Sequence, residues 1–306
     1  MHILIAGATG FIGTELIKSF PADYKLTVVG RDERHIKDQF AERVLPRTWK
    51  TLPDLDATPY DLVINLAGHN IAASRWTESV KKKIIDSRVN TNAALIKWLI
   101  NQECKPHFYS ANAIGIYGMQ ENGDSQAFDE NSPIDFEHPR DFLSEVGVRW
   151  QQSVQPAIDY GMSVTLTRFG VVLMHGQGML KKLTPSFKLG LGSVIGDGKQ
   201  VISWIHIADL VRALNFLFDH RELTGPFNLT SPNPVSQAEF AKTLAHAMHR
   251  PLFLKTPAFV MRMLFGEMGE CLINRGQRVV PKRLPEEGFK FTYSDLAMAL
   301  KHEYDK

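Results

Sequence analysis

MHILIAGATGFIG, residues 1–13, joins a buried-strand signal to three glycines at three-residue spacing. Ile3-Leu4-Ile5-Ala6 is a short run of apolar, mostly branched side chains, as found inside a parallel sheet. The run stops at Gly7; Gly10 and Gly13 follow, and Leu16 and Ile17 continue as a helix. Strand, tight turn and helix start are the context in which a glycine triplet holds a dinucleotide. Gly7 supplies a turn conformation closed to residues with a Cβ. Gly10 lets the backbone approach a pyrophosphate, and Gly13 lets the helix pack close to the strand. The helix N-terminus then offers unpaired N–H groups and a positive dipole end to the phosphates. Thr9, Phe11 and Ile12 complete the turn and are candidate cofactor contacts with the three glycines.

Lys25-Leu26-Thr27-Val28-Val29 reads as a second strand ending at Gly30-Arg31-Asp32, where a fold of this kind meets the adenosine ribose. Arg31 follows Gly30 directly, with Arg34 and His35 close by. A guanidinium holds a 2′-phosphate by paired charge-assisted bonds, whereas a carboxylate repels it. The charge pattern therefore favours NADP(H), while Asp32 keeps NAD as the less favoured choice.

The remaining chain alternates in the same way. Residues 36–59, marked by Pro46, Pro53 and Pro59, read as irregular. Residues 61–68 form a strand whose end, Leu66, Ala67 and Gly68, lets the backbone pass beneath a cofactor. A long helix over about 77–100, a strand from His107 into Asn112, a turn-rich stretch over 119–141, a helix over 142–158 and a strand over 163–169 follow. Strands alternating with helices predict an α/β fold, a Rossmann-type doubly wound parallel sheet. Its strand ends, including the stretch from Arg168 to Val172, converge on one crevice, where Val171 is a further candidate cofactor contact. Residues 1–172, with 203–230 returning to them, read as the nucleotide-binding domain. Residues 173–202 and 231–306 read as a smaller, mostly helical C-terminal domain capping the crevice.

Bulk composition excludes several classes. A hydrophobic content of 44% with 22% charged residues is ordinary for a soluble globular chain. A net charge of +2 gives no reason to expect a nucleic-acid or membrane partner. Cys104 and Cys271 have no metal-ligand spacing and read as reduced thiols, so no metal is expected and a cytoplasmic location is. No apolar run has the length of a bilayer span, and the N-terminal run lacks the basic leader of a signal peptide.

Gly7-Ala8-Thr9-Gly10-Phe11-Ile12-Gly13, Asn65-Leu66-Ala67-Gly68 and Tyr117-Gly118 resemble motifs of the extended short-chain dehydrogenase/reductase superfamily. Residues 65–88, NLAGHNIAASRWTESVKKKIIDSR, are similar to the signature of an atypical branch, the epimerase family proteins. So are Phe187-Lys188-Leu189-Gly190-Leu191-Gly192 and Ser203-Trp204-Ile205-His206-Ile207. Gly266-Glu267-Met268 and residues 276–281, GQRVVP, resemble the branch's C-terminal DUF1731-type domain. Members also go by the names sugar-nucleotide epimerase and cell-division inhibitor. The resemblance implies the fold, NADP(H) preference and Arg75 near the cofactor. It departs at His69, where the branch usually carries an acid.

The superfamily's usual chemistry needs a tyrosine whose pKa is lowered by a lysine four residues on. The matching segment here reads Phe142-Leu143-Ser144-Glu145-Val146, which offers neither a phenol nor a cation. The remaining candidates for polarising a carbonyl are Ser110, Asn112 and Tyr117. His206, Trp76 and Trp204 read first as structural. Two functions fit the sequence. One is an NADP(H)-dependent oxidoreductase or epimerase-like enzyme, its small substrate polar or anionic and met by the basic stretch Lys181 to Lys199. The other is a non-catalytic NADP(H)-binding regulator acting through a protein partner.

Overall fold

The computed structural model describes residues 1–305. The first half of the chain runs β1 (His2–Ala6), α1 (Phe11–Ser19), β2 (Lys25–Gly30), α2 (Glu33–Phe40), β3 (Leu45–Thr48), β4 (Leu62–Asn65), α3 (Glu78–Asn101), β5 (His107–Ala113), α4 (Phe142–Gln152), α5 (Gln155–Asp159) and β6 (Val164–Phe169). The second half runs β7 (Val171–Leu173), α6 (Gly178–Lys188), β8 (Ser193–Ile195), β9 (Val201–Ile202), β10 (Trp204–His206), α7 (Ile207–Asp219), β11 (Gly225–Leu229), β12 (Val235–Ser236) and α8 (Gln237–Ala247). It closes with β13 (Leu254–Thr256), α9 (Ala258–Phe265), α10 (Glu267–Gly269), α11 (Arg283–Glu286) and α12 (Leu296–Tyr304).

Seven strands form one parallel sheet in the order β11-β6-β5-β4-β1-β2-β3. Along β1 the side chains alternate between two apolar layers. Ile3 and Ile5 join Leu16, Val28 and Leu214 on one face, and Leu4 and Ala6 join Leu95, Leu99 and Phe108 on the other. A strand buried on both faces must be apolar throughout, which is how residues 3–6 read. A third apolar cluster, around Trp204, Phe240, Leu244 and Leu300, ties α6, α8 and α12 together.

Two stretches depart from the sequence reading. Residues 36–59 are not irregular: α2 and β3 lie there. The helix α2 is charged on most of its surface and buries only Ile36 and Phe40, so its apolar periodicity is faint. Pro46 is tolerated because β3 is a sheet edge. The expected single helix over 142–158 is two, α4 and α5, with Pro156 in the first turn of the second. The stretch 226–229 joins the main sheet as its edge, β11, beside β6. The C-terminal part is helical as expected, with α8 to α12, of which α9, α10 and α11 are short.

Candidate active site at the carboxyl edge of the sheet

Parallel pairing brings the carboxyl ends of β1, β2, β4, β5 and β6 to one edge. There Gly7 adopts φ +78°, and a Cβ on it would stand 2.5 Å from Ala67 N. A Cβ on Gly13 would stand 2.5 Å from Ala8 Cα, so the first turn of α1 lies against the strand end. Gly10 differs. Its φ of −72° suits any residue, and a Cβ would meet only Gly7 O at 3.4 Å. The protein itself makes no steric demand for glycine at that position, which leaves the space over it open. Gly10 is the N-cap of α1 and no side chain caps the helix, leaving its first N–H groups facing outward. Thr9, Phe11 and Ile12 are half-buried around this turn, and Gln39 of α2 donates to Thr14 Oγ1 (2.7 Å) beside it.

At the end of β2, Arg31 is exposed and makes no hydrogen bond or ion pair among the described residues. Asp32 is committed: its carboxylate accepts from the N–H groups of Arg34 (2.8 Å) and His35 (3.4 Å) and caps α2. The carboxylate that could have served a ribose hydroxyl is therefore a helix cap, and the guanidinium beside it is free for a phosphate.

The turn after β4 is held from behind. Asn65 Oδ1 accepts from Ala67 N (3.0 Å), Asn65 Nδ2 donates to Asn92 Oδ1 (2.6 Å), and Asn92 Nδ2 donates to Ser110 Oγ (3.1 Å). Behind Gly68 lies a cation the sequence reading missed, Arg88, although it ends the quoted stretch 65–88. Its Nη1 donates to His69 O (3.1 Å) and Ile84 O (2.8 Å), its guanidinium lies over the Trp150 ring at 4.8 Å, and its Nε has no partner. Burial lowers its pKa to about 10, so it stays charged at neutral pH. Residues 69–77 are held at two further points: Lys182 Nζ donates to Ala72 O, and Arg75 Nη2 donates to Met263 O (2.7 Å) on α9. Val171, half-buried in β7, pairs with β10 just past the end of β6.

The three residues expected to face the nicotinamide are bonded to other parts of the protein. Ser110 is buried in the asparagine network. Asn112, two residues on and on the same face of β5, donates to Gly147 O (3.1 Å) of α4. The Tyr117 hydroxyl donates to Asn228 Oδ1 (2.9 Å) and accepts from Arg168 Nη1 (2.7 Å), while its ring stacks on Phe128 at 5.3 Å. Burial pushes that phenol up, against the lowering effect of Arg168. All three side chains are largely buried, with their polar groups bonded to other residues, although Tyr117 also borders a cavity beside Arg140 and Ser144. Phe142 packs its ring against Trp76 at 4.7 Å, so the place of a catalytic phenol is filled by an apolar contact. Trp204 is fully buried, and its indole N–H donates to Asn233 O.

His206 is also structural. Its Nδ1 accepts from Ala208 N (3.2 Å) at the cap of α7, so its Nε2 carries the proton donated to Glu303 Oε1 (2.8 Å). His302 lies beside this pair, but a ring bonded in this way has no lone pair left for a cation.

A cavity of about 380 Å³ lies between the 119–141 segment and the turn after α10, lined by Gln120, Arg140, Asp141, Glu270, Cys271 and Arg275 among others. Burial pushes the Cys271 thiol up to about 11, which keeps it protonated. None of the basic residues from Lys181 to Lys199 lines this cavity.

Residues 3–230 match the model of the NAD dependent epimerase/dehydratase family, and residues 256–303 match a domain of unknown function, DUF1731. The chain is 34% identical over 302 residues to the epimerase family protein YfhF of Bacillus subtilis, covering 98% of this chain and 97% of that one. It superposes on the crystal structure of human epimerase family protein SDR39U1 (isoform2) with NADPH, with a TM-score of 0.89, 30% identity and both chains fully covered. A UDP-glucuronic acid 4-epimerase from Bacillus cereus, solved with NAD and its sugar nucleotide, shares the fold at a TM-score of 0.76 and 15% identity, over 100% of this chain and 98% of that one. The family model over residues 3–230 and the relatives matched over nearly the whole length agree with the parallel sheet and its glycine turn: the chain belongs to the NAD-dependent epimerase/dehydratase family.

Proposed function

We propose that this protein is an NADP(H)-dependent oxidoreductase or epimerase-like enzyme acting on a small polar molecule. The observation that carries the cofactor choice is the pairing at the end of β2, a free Arg31 beside an Asp32 consumed in capping α2. The NADPH in the human relative agrees with it. Gly7, Thr9, Gly10, Phe11, Ile12 and Gly13 would hold the diphosphate, and Arg31 the 2′-phosphate. Leu66, Ala67 and Gly68 would pass beneath the dinucleotide, with Arg75 and Val171 at its flanks. When bound, the nicotinamide gives a hydride to, or takes one from, a substrate carbon. The chain's own part is to bind, orient and exclude water. Buried Arg88 adds positive charge behind the turn that meets a polyanion. Because Ser110, Asn112 and Tyr117 are spent internally, they act as positioning residues, and the proton comes from water.

The cavity between the 119–141 segment and the turn after α10 suits a hydroxyl-bearing substrate better than an anion. Glu121, Asp124, Asp141 and Glu270 line it against only Arg140 and Arg275. One observation favours the regulatory reading: the enclosure of every expected catalytic side chain leaves no protein acid at the nicotinamide. Titration with NADPH and NADH, followed by NADPH consumption over a panel of carbonyl compounds and sugar nucleotides, tests both. We expect NADPH to bind at least about tenfold tighter than NADH, with Arg31→Ala erasing the difference. Equal affinities in the unmodified protein refute the cofactor reading. Tight NADPH binding with no turnover of any compound favours the regulator.

A further inference from the structure

Two turns of the C-terminal half stand side by side and expose apolar side chains. The first, after α6, carries Leu189 (75% exposed) and Leu191 (57%) around Gly190 at φ +71°. The second precedes β13 and carries Phe253 (85%). Arg250 Nε donates to Lys188 O (2.9 Å), and β8 pairs with β13 from Ser193↔Leu254 onward, so the two turns are tied to each other. Isolated exposed apolar residues need no explanation, but three at adjoining tips form a patch.

The charge around them is one-sided. No aspartate or glutamate occurs in residues 160–196 or 240–266, the two stretches that build this face. Lys188, Arg250 and Lys255 flank the apolar tips, all exposed and none in an ion pair with a described residue. A net charge of +2 over the whole chain conceals this local excess.

We propose that these paired turns dock the protein on an anionic lipid surface. Protruding leucine and phenylalanine side chains enter the headgroup boundary, while lysine and arginine beside them meet lipid phosphates. No described helix is long and apolar enough to cross a membrane, so the contact is peripheral. It reverses the expectation of no membrane partner that the overall charge suggested.

The test is co-sedimentation of the full chain with vesicles of phosphatidylcholine alone and with one third phosphatidylglycerol. Binding should require the anionic lipid and weaken with salt. Lys188→Glu and Lys255→Glu should each lower partitioning by about fivefold or more. Leu189→Ser and Phe253→Ser should each lower it by about tenfold. Phe136→Ser, an exposed apolar residue elsewhere, should change nothing, and far-UV circular dichroism with NADPH titration checks that every variant folds. Equal binding to both vesicles, or none to either, overturns the proposal. So does a response to the charge reversals without one to the apolar substitutions, which would point to an acidic protein surface instead.

Discussion

Alanine at Gly10 separates ligand demands from folding demands within a single turn. The backbone there, φ −72° and ψ 164°, accepts alanine without strain, and the added methyl meets only Gly7 O at 3.4 Å. Replacing glycine restricts the unfolded chain and stabilises by about 0.4–1 kcal/mol. Alanine is a poorer N-cap than glycine by a similar amount. The two effects nearly cancel, and the melting temperature should move by no more than about 2 °C. Gly13→Ala is the control: its methyl would lie 2.5 Å from Ala8 Cα and 2.7 Å from Ala8 O, both backbone atoms that cannot swing aside. That overlap should destabilise by about 1–3 kcal/mol or more. If a diphosphate lies on Gly10, the same harmless methyl should weaken NADPH binding by at least about tenfold, equivalent to ~1.4 kcal/mol. Differential scanning fluorimetry paired with fluorescence titration of NADPH reads both quantities. The reasoning fails if Gly10→Ala binds NADPH like the unmodified protein, or if it melts as far down as Gly13→Ala.

Asp32→Ala should cost about 1 kcal/mol through loss of the α2 cap and leave NADPH preferred over NADH; a fall in NADH affinity alone, at unchanged stability, would instead assign Asp32 to the ribose. Tyr117→Phe should destabilise by about 1–3 kcal/mol, because Arg168 and Asn228 lose a buried partner, while NADPH affinity holds; lost turnover at unchanged stability would restore Tyr117 as catalytic. His107, buried against Thr165 and Tyr109, is pushed down to about 4 by desolvation. Its folded pKa lies below the unfolded value, so the unfolded chain binds the extra proton, and stability falls as pH drops from about 6.5 towards 4. Denaturant unfolding at pH 7 and pH 4.5 should show a smaller loss for His107→Gln than for the unmodified chain; equal losses would remove His107 as a cause.

The strand, turn and helix at residues 1–19 were legible because each residue answers a local demand: branched side chains for burial, glycines for close approach, an open helix end for phosphate. Arg31 was legible for the same reason, a charge standing where the motif places the ribose. Asp32 was not fully so, since a carboxylate two or three residues before free N–H groups becomes a cap only once α2 is known to start there. Ser110 and Asn112 show another limit. A sequence places them at a strand end, but in a sheet buried on both faces it does not say which layer they enter. Both turn towards α3 and α4 rather than the crevice. Arg88 stayed hidden because a lone arginine inside a charged helix reads as solvated.

Residues 72–75 couple the turn after β4 to the C-terminal half of the chain. Ile71 and Trp76 on either side pack with Phe142, but Ala73, Ser74 and Arg75 are exposed; beyond local turn bonds to Asn70, the span is held by bonds between charged side chains and carbonyl oxygens. Water can replace both of those side-chain bonds, whereas the flanking Ile71 and Trp76 are fixed by apolar packing. Since the moorings lie on α6 and α9, the conformation of this span is tied to both helices, and through α9 to the DUF1731 segment.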